Sequence, residues 1–353
     1  MKKLLKHQIF VLFLIFTTLN LHATTLQDVI KTIKKGNITK AYYMQKNLAD
    51  KEKEILNILL LLYQDKLSDA ELISEKTVLS NVLLLPDNSA AIVVNKVNET
   101  LFVIKEKNGI PIIVKTFKCI TGKKAGDKLK EGDLRTPEGI YLPTYWKAKL
   151  PKFYGIGAFV LNYPNVIDRI ILRRNGHGIW IHGMEGNYRA PHSTNGCIVL
   201  KNEDLANLKK YITPKKTPII IVNDISKEPL NSFIKERNSL VDFVYNWKTA
   251  WENSPKGIEN YFSFYSKSFA NPKYSFENWK SYKRDVTSRK KWIKIKISNL
   301  TITKDGRILK FGRLYLISFN MDYFSNNYRW KGKKIIYVTK EEGKWKILGE
   351  ESL

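Results

Sequence analysis

Cysteine and histidine are scarce in this chain: 353 residues hold two cysteines and five histidines. Two cysteines allow one disulfide at most, which excludes a multiply cross-linked scaffold as the source of stability. Acidic residues are also few, 33 against 60 lysines and arginines, for a net charge of +27. Such a charge favours polyanionic surroundings by long-range attraction but does not name the polyanion. Beyond the N-terminus no apolar run is long enough to span a bilayer. What is present in quantity is apolar and aromatic surface, at 43% and 12%. That excludes disorder as the default, and the length implies two or three domains.

The first 23 residues, MKKLLKHQIFVLFLIFTTLNLHA, place Lys2, Lys3 and Lys6 ahead of an apolar run over residues 9–16 and end on the small residue Ala23. This pattern predicts a secretory signal peptide, with a retained anchor as the alternative because Leu-His-Ala matches A-x-A poorly. Either way the working protein is expected outside the cytoplasm, in a periplasmic location. There anionic wall polymer or lipid headgroups replace nucleic acid as the expected polyanion, and no nucleic-acid partner is expected. Removing residues 1–23 takes three lysines and no acids, leaving +24, and takes His7 and His22. The histidines that remain, His177, His182 and His192, all fall within twenty residues of Cys197. Packing does not explain that crowding.

Residues 24–79 read as a helical segment, with Leu26, Val29, Ile30 and Ile33 at helical spacing and a break at Gly36-Asn37. Over residues 55–62 (ILNILLLL) the helix is apolar nearly all round. It is expected to pack inside a helical subdomain or against a second copy, as a homodimer contact. From Ala91 short β-rich runs take over, including residues 170–172, 179–182 and 219–222, and this domain is expected to span 80–224. One helix interrupts it, with Asn202 as its expected N-cap. After Pro229 come expected helices over 233–251 and 258–269, then the aromatic-rich runs WIKIKI, LYLISF, KIIYVT and WKIL. The order of a second domain, 233–353, is therefore α+β.

The segment IWIHGMEGNYRAPHSTNGCIVL carries the chemistry. Strand alternation buries Ile179 and Ile181 and turns Trp180 and His182 to the other face. Fourteen residues past Gly183, the loop Ser193-Thr194-Asn195-Gly196-Cys197 can bring a thiol and several backbone N–H groups to one point. A thiol becomes a nucleophile when a neighbouring imidazole takes its proton, which fits Cys197 and His182. N–H groups around Asn195 and Gly196 are candidate oxyanion donors, and Gly196 admits a close backbone approach. A carbonyl near Gly183 can hold the imidazole tautomer. Three alternatives stand beside this: a Cys119–Cys197 disulfide, a zinc site from His177, His182, His192 and Cys197, and ordinary packing. The zinc reading lacks the short paired ligand spacings of familiar sites.

The HG and STNGCIVL elements, preceded by TGKKAGDKLKEGDLRTPEGIY, resemble the L,D-transpeptidase (YkuD) catalytic domain over roughly residues 80–224. The resemblance implies a mainly β sandwich, attack of cysteine on the L-centre carbonyl of a diamino acid in peptidoglycan stem peptides, and no metal or organic cofactor. It implies Cys197 as nucleophile, His182 as base and Gly183 as the residue orienting it. Asn195 and Val199 replace the histidine and arginine of the usual S-H-G-C-I-R-L. The G-D-x-x-x-E-G-D-x-R-T-P-E-G pattern over residues 126–139 is closer to the hydrolytic branch. The segment from about Phe233 resembles the NTF2-like domain of L,D-carboxypeptidases of helical bacteria, a group in which an N-terminal helical segment contributes to dimerisation. The expected activity is an L,D-carboxypeptidase that trims terminal D-alanine from tetrapeptide stems and so affects cell shape. Transpeptidation, amidase release of a wall-attached protein, and a non-catalytic wall-binding scaffold are the alternatives. Candidate substrate contacts are Arg135, Arg189, His192 and Trp180, since arginine pairs bidentately with a departing carboxylate.

Overall fold

The computed structural model describes residues 77–107, 109–186 and 190–353. The expected signal peptide and nearly all of the expected helical segment, with its homodimer contact, lie outside these residues, as does Arg189. Thr77–Glu106 and Pro111–Leu353 form one compact unit.

The chain's last three residues of expected helix are instead strand β1 (Thr77–Leu79), and β2 (Val82–Leu84) follows at once. The run TVLSNVLLL is dense in Val and Leu and is buried from Val78 to Leu85. Strands β3 (Ala91–Asn95), β4 (Thr100–Lys107), β5 (Ile110–Lys118), β6 (Gly139–Tyr141) and β11 (Ile219–Val222) make a five-stranded sheet in the order β5-β4-β3-β11-β6. A four-stranded sheet in the order β10-β9-β8-β7 joins β7 (Pro143–Lys147), β8 (Ala158–Leu161), β9 (Trp180–Met184) and β10 (Ile198–Lys201). Ile92, Val94, Leu101 and Val103 of the first sheet pack on Phe159, Leu161, Ile181, Ile198 and Leu200 of the second, closing a sandwich. Helix α1 (Asn202–Lys209) adds Leu205 and Leu208 to that core.

β12 (Lys227–Pro229) pairs antiparallel with β1 and leads into α2 (Leu230–Asn253). Six strands then share one sheet: β13 (Tyr265–Ala270), β17 (Lys344–Ser352), β16 (Arg329–Glu341), β15 (Gly312–Ser325), β14 (Ile293–Leu309) and β2. The outer face of β3 and β11 does not meet water. Ala91, Val93, Ile220 and Val222 pack against Leu314, Leu316, Ile335, Tyr337 and Leu348 of the six-stranded sheet. Strands β3 and β11 are therefore buried on both faces, the reason they read as unbroken aliphatic runs rather than as alternating ones.

Four expectations change. Residues 170–172 are not strand: Ile167–Ile171 form a π-helical turn, because Asn165 Oδ1 accepts the N–H groups of Ile167 and Asp168 and commits the chain to helix. Residues 258–269 are only briefly helical, in α3 (Glu259–Phe262), before β13 begins. A further helix, α4 (Phe276–Ser288), starts where Ser275 Oγ accepts the N–H of Asn278 and buries Trp279. Asn202 is the first residue of α1 rather than its cap, and its side chain is used elsewhere.

Candidate active site

Strands β9 and β10 run parallel, with Ile181 opposite Ile198 and His182 opposite Val199. Paired residues share a sheet face, so Ile181 and Ile198 point into the core. His182 and Val199 take the other face, and Cys197 packs there against Ile120, Met184 and Val199.

His182 is 2% exposed, and its Nδ1 lies 2.8 Å from the carbonyl oxygen of Gly183. A carbonyl only accepts, so Nδ1 carries the proton and Nε2 keeps its lone pair. The edge of the Tyr154 ring contacts the imidazole at 4.9 Å between centroids, with Phe153 at 6.1 Å. Trp180 packs on Tyr154 at 5.1 Å with the rings tilted by 48°. Phe153 and Tyr154 belong to the short turn Lys152–Tyr154, which is latched by Asn202: its Oδ1 accepts the N–H of Ile156 at 3.0 Å. A Cβ on Gly183 would fall 2.3 Å from that oxygen, so glycine beside the base makes room for the latch. Neither the turn nor the latch has a motif in the sequence; the aromatic pair followed by Gly155 is the only local signal.

Cys197 Sγ donates to the carbonyl of Gly178 at 3.4 Å. Burial pushes its thiol above the usual 9.0, against the N–H of Trp180 and the positive charge of Lys128, which favour the thiolate. At neutral pH the resting group is therefore the thiol. The nucleophile loop is tied by two threonines. Thr194 Oγ1 donates to Cys197 O at 2.7 Å and accepts the Gly196 N–H at 3.1 Å. Thr136 Oγ1 donates to Gly196 O at 3.0 Å and accepts the Gly122 N–H at 2.9 Å. With its N–H engaged, Gly196 is not a free oxyanion donor, and the candidates at this loop are the N–H groups of Asn195 and Cys197. Gly196 has φ +130, and a Cβ there would meet Arg135 O at 2.8 Å, so the residue just before T-P-E-G makes the close approach.

The G-D-x-x-x-E-G-D segment brings charge. Lys128 is buried and paired with Asp133 at 2.6 Å. Burial opposes ionisation of Asp133, but Lys128 and the N–H groups of Leu129, Lys130 and Arg135 outweigh it and hold the carboxyl at about 2. Sequence reasoning singled out the histidines and arginines and passed over Lys128.

Arg135 donates through Nη1 to Asp127 O at 3.4 Å, and its buried Nε has no hydrogen-bond partner. His192 has its N–H and Nδ1 at 3.0 and 3.2 Å from Glu99 Oε1, which also takes the N–H of Thr121. His177 instead pairs with Glu131 at the surface. Both cysteines are free, and Cys119 is 3% exposed in the sandwich core. Among the described residues, no group of three or more His, Cys, Asp or Glu is arranged to hold a metal ion.

A thiol and an imidazole of fixed tautomer on one face of a β sandwich define a class, and comparison with known proteins gives the family. Residues 89–221 match the L,D-transpeptidase (YkuD) catalytic domain, and residues 239–351 match the Cds6 C-terminal NTF2-like domain. The helical cell shape determining protein Pgp2 of Campylobacter jejuni is 33% identical, over 80% of this chain and 97% of its own, with a TM-score of 0.64. Bd1075 of Bdellovibrio bacteriovorus is 28% identical, over 78% of this chain and 98% of its own, with a TM-score of 0.66. No curated protein matches the chain. The chain belongs to the L,D-transpeptidase family of enzymes, in the two-domain form with a C-terminal NTF2-like domain.

Proposed function

We propose that the protein is a peptidoglycan L,D-carboxypeptidase that converts tetrapeptide stems to tripeptides. The observation that carries the reading is the His182 Nδ1–Gly183 carbonyl bond, which leaves Nε2 as a base on the face that holds Cys197. Because the resting group is the thiol, proton transfer to Nε2 accompanies attack of Sγ on the L-centre carbonyl. The oxyanion is received by the N–H groups of Asn195 and Cys197. D-Alanine departs as the amine, taking the proton back from His182, and leaves a thioester. Water attacks the thioester as Nε2 takes its proton; the thiol regains a proton and the tripeptide is released. Arg135, with its unpartnered buried Nε, is the proposed contact for the departing carboxylate. We place the enzyme in the periplasm, with residues 1–23 as its signal peptide. That the Campylobacter jejuni relative is a helical cell shape determining protein supports stem trimming as the outcome.

The test is mass spectrometry of disaccharide tetrapeptide after incubation with the protein and with Cys197→Ala. Loss of one alanine by the protein alone is expected. A cross-linked dimer makes it a transpeptidase, an unchanged tetrapeptide favours the non-catalytic binder, and alanine loss that survives Cys197→Ala refutes Cys197 as the nucleophile.

A further inference from the structure

We infer that Arg307, contributed by the NTF2-like domain, is a positioning residue of the active site that acts through Asp127. Arg307 stands on β14, outside the catalytic sequence match and 180 residues from its partner. Its Nε and Nη2 grip the two oxygens of Asp305 at 3.0 and 2.7 Å, and Nη1 reaches Asp127 Oδ2 at 2.8 Å. The arginine side chain is 10% exposed and Asp305 fully buried. One planar guanidinium thus joins two carboxylates on different domains, which the ammonium of a lysine cannot do with the same geometry.

Asp127 is the hub on the catalytic side. Its Oδ1 accepts the Glu138 N–H at 2.8 Å and Arg174 Nη1 at 3.1 Å. Its own carbonyl accepts Arg135 Nη1 at 3.4 Å. Asp127 therefore fixes both ends of the segment that carries Arg135 and Thr136, and Thr136 is bonded to Gly196, next to the nucleophile. The final glycine of T-P-E-G follows from the same contact: a Cβ on Gly139 would lie 2.7 Å from Arg307 Nη2. A catalytic-domain motif residue is thus shaped by a side chain of the other domain. The path from Arg307 to Cys197 runs through Asp127, Glu138, Thr136 and Gly196, all backbone or buried contacts without an intervening flexible side chain.

The inference rests on Cys197 being the reacting thiol, and its test has one readout that needs no substrate. Arg307→Met, Arg307→Lys, Asp127→Asn and the Arg307→Met/Asp127→Asn double variant are compared with the unaltered protein. Circular dichroism establishes folding, and intact-mass kinetics follow iodoacetamide alkylation of Cys197 from pH 7 to 10, Cys119 being buried. Turnover of disaccharide tetrapeptide gives kcat and KM. In folded Arg307→Met the alkylation profile should shift, as the tie from Asp127 through Thr136 to Gly196 no longer fixes the backbone beside Cys197. Its kcat should fall by about tenfold or more, with KM within about threefold, because misplaced reacting groups cost the chemical step more than binding. Arg307→Lys should recover part of the loss. The double variant should be no worse than Asp127→Asn, because the two residues act as one path. An unchanged alkylation profile and kcat in folded Arg307→Met, or additive losses in the double variant, overturn the inference. Should Arg307→Met not fold, Arg307→Lys decides it by the same two readouts. An unaltered protein that alkylates but leaves the tetrapeptide intact refutes the substrate reading, while the alkylation shift still judges Arg307.

Discussion

Gly183→Ala isolates the latch beside the catalytic base. Gly183 does not occupy the left-handed region, so an added methyl meets no backbone penalty and its effect is entirely one of contact. The new Cβ would lie 2.3 Å from Asn202 Oδ1 and 3.3 Å from both Ile156 N and Leu205 Cδ2. Asn202 must rotate away, which breaks its bond to Ile156; a hydrogen bond that water can partly replace contributes about 0.5–1.5 kcal/mol. The two tighter contacts force shifts of tenths of an ångström, adding about 1 kcal/mol at the lower end of overpacking costs. A total of about 2 kcal/mol lowers Tm by about 4–8 °C in a unit of this size. The freed turn no longer holds Phe153 and Tyr154 against His182, so kcat should fall by about tenfold while KM holds. Scanning calorimetry and tetrapeptide turnover read the two effects. Asn202→Ala in the same chain removes the clashing oxygen, so the double variant should fall below Asn202→Ala alone by only about 1 kcal/mol from the two remaining contacts, short of the sum of the single losses. A Gly183→Ala protein with unaltered Tm, or losses that simply add in the double variant, would refute the latch.

Thr136→Val should cost about 2–4 kcal/mol, since the Gly122 N–H and the Gly196 carbonyl both lose a buried partner. Urea midpoints should show it, and Thr136→Ser should restore most of it. Alkylation of Cys197 in the unaltered protein should keep accelerating above pH 9, because burial holds the thiol above its usual 9.0. A rate that levels off near neutrality would instead reveal a resting thiolate–imidazolium pair. Asp133, at about 2 in the folded chain, contributes stability that is present above its unfolded value near 3.9 and disappears as pH falls toward 2. Asp133→Asn should therefore flatten the acid limb of the stability profile, and acid titration of ellipticity in both proteins measures it.

The sequence pattern disclosed what depends on neighbours in the chain. Alternation in Ile179-Trp180-Ile181-His182 places the imidazole on the face opposite the core, and β9 realises it. The scarcity of cysteine and histidine points to the segment in which the structure sets His182 and Cys197 on one face. Local reading failed where side chains far along the chain decide the outcome. Residues 170–172 are aliphatic enough for a strand, yet the Asn165 side chain turns them into helix. At Gly196 the residue type predicts a close backbone approach without naming its partner, which is the carbonyl of Arg135. Lys128 is one lysine among many until Asp133 and the fold bury it. Arg307 and Asp127 have no sequence relation at all; only the packing of the two sheets joins them.

The six-stranded sheet includes β2, so Val82 lies opposite Thr303, more than two hundred residues later. Pairings this distant close late, after the intervening chain has been made. A ribosome that has released only the catalytic sequence exposes Ala91, Val93, Ile220 and Val222 with nothing to cover them. Chains that stop short should therefore be sticky and degraded. The fold thus acts as an inspection for completeness on an enzyme of the L,D-transpeptidase family.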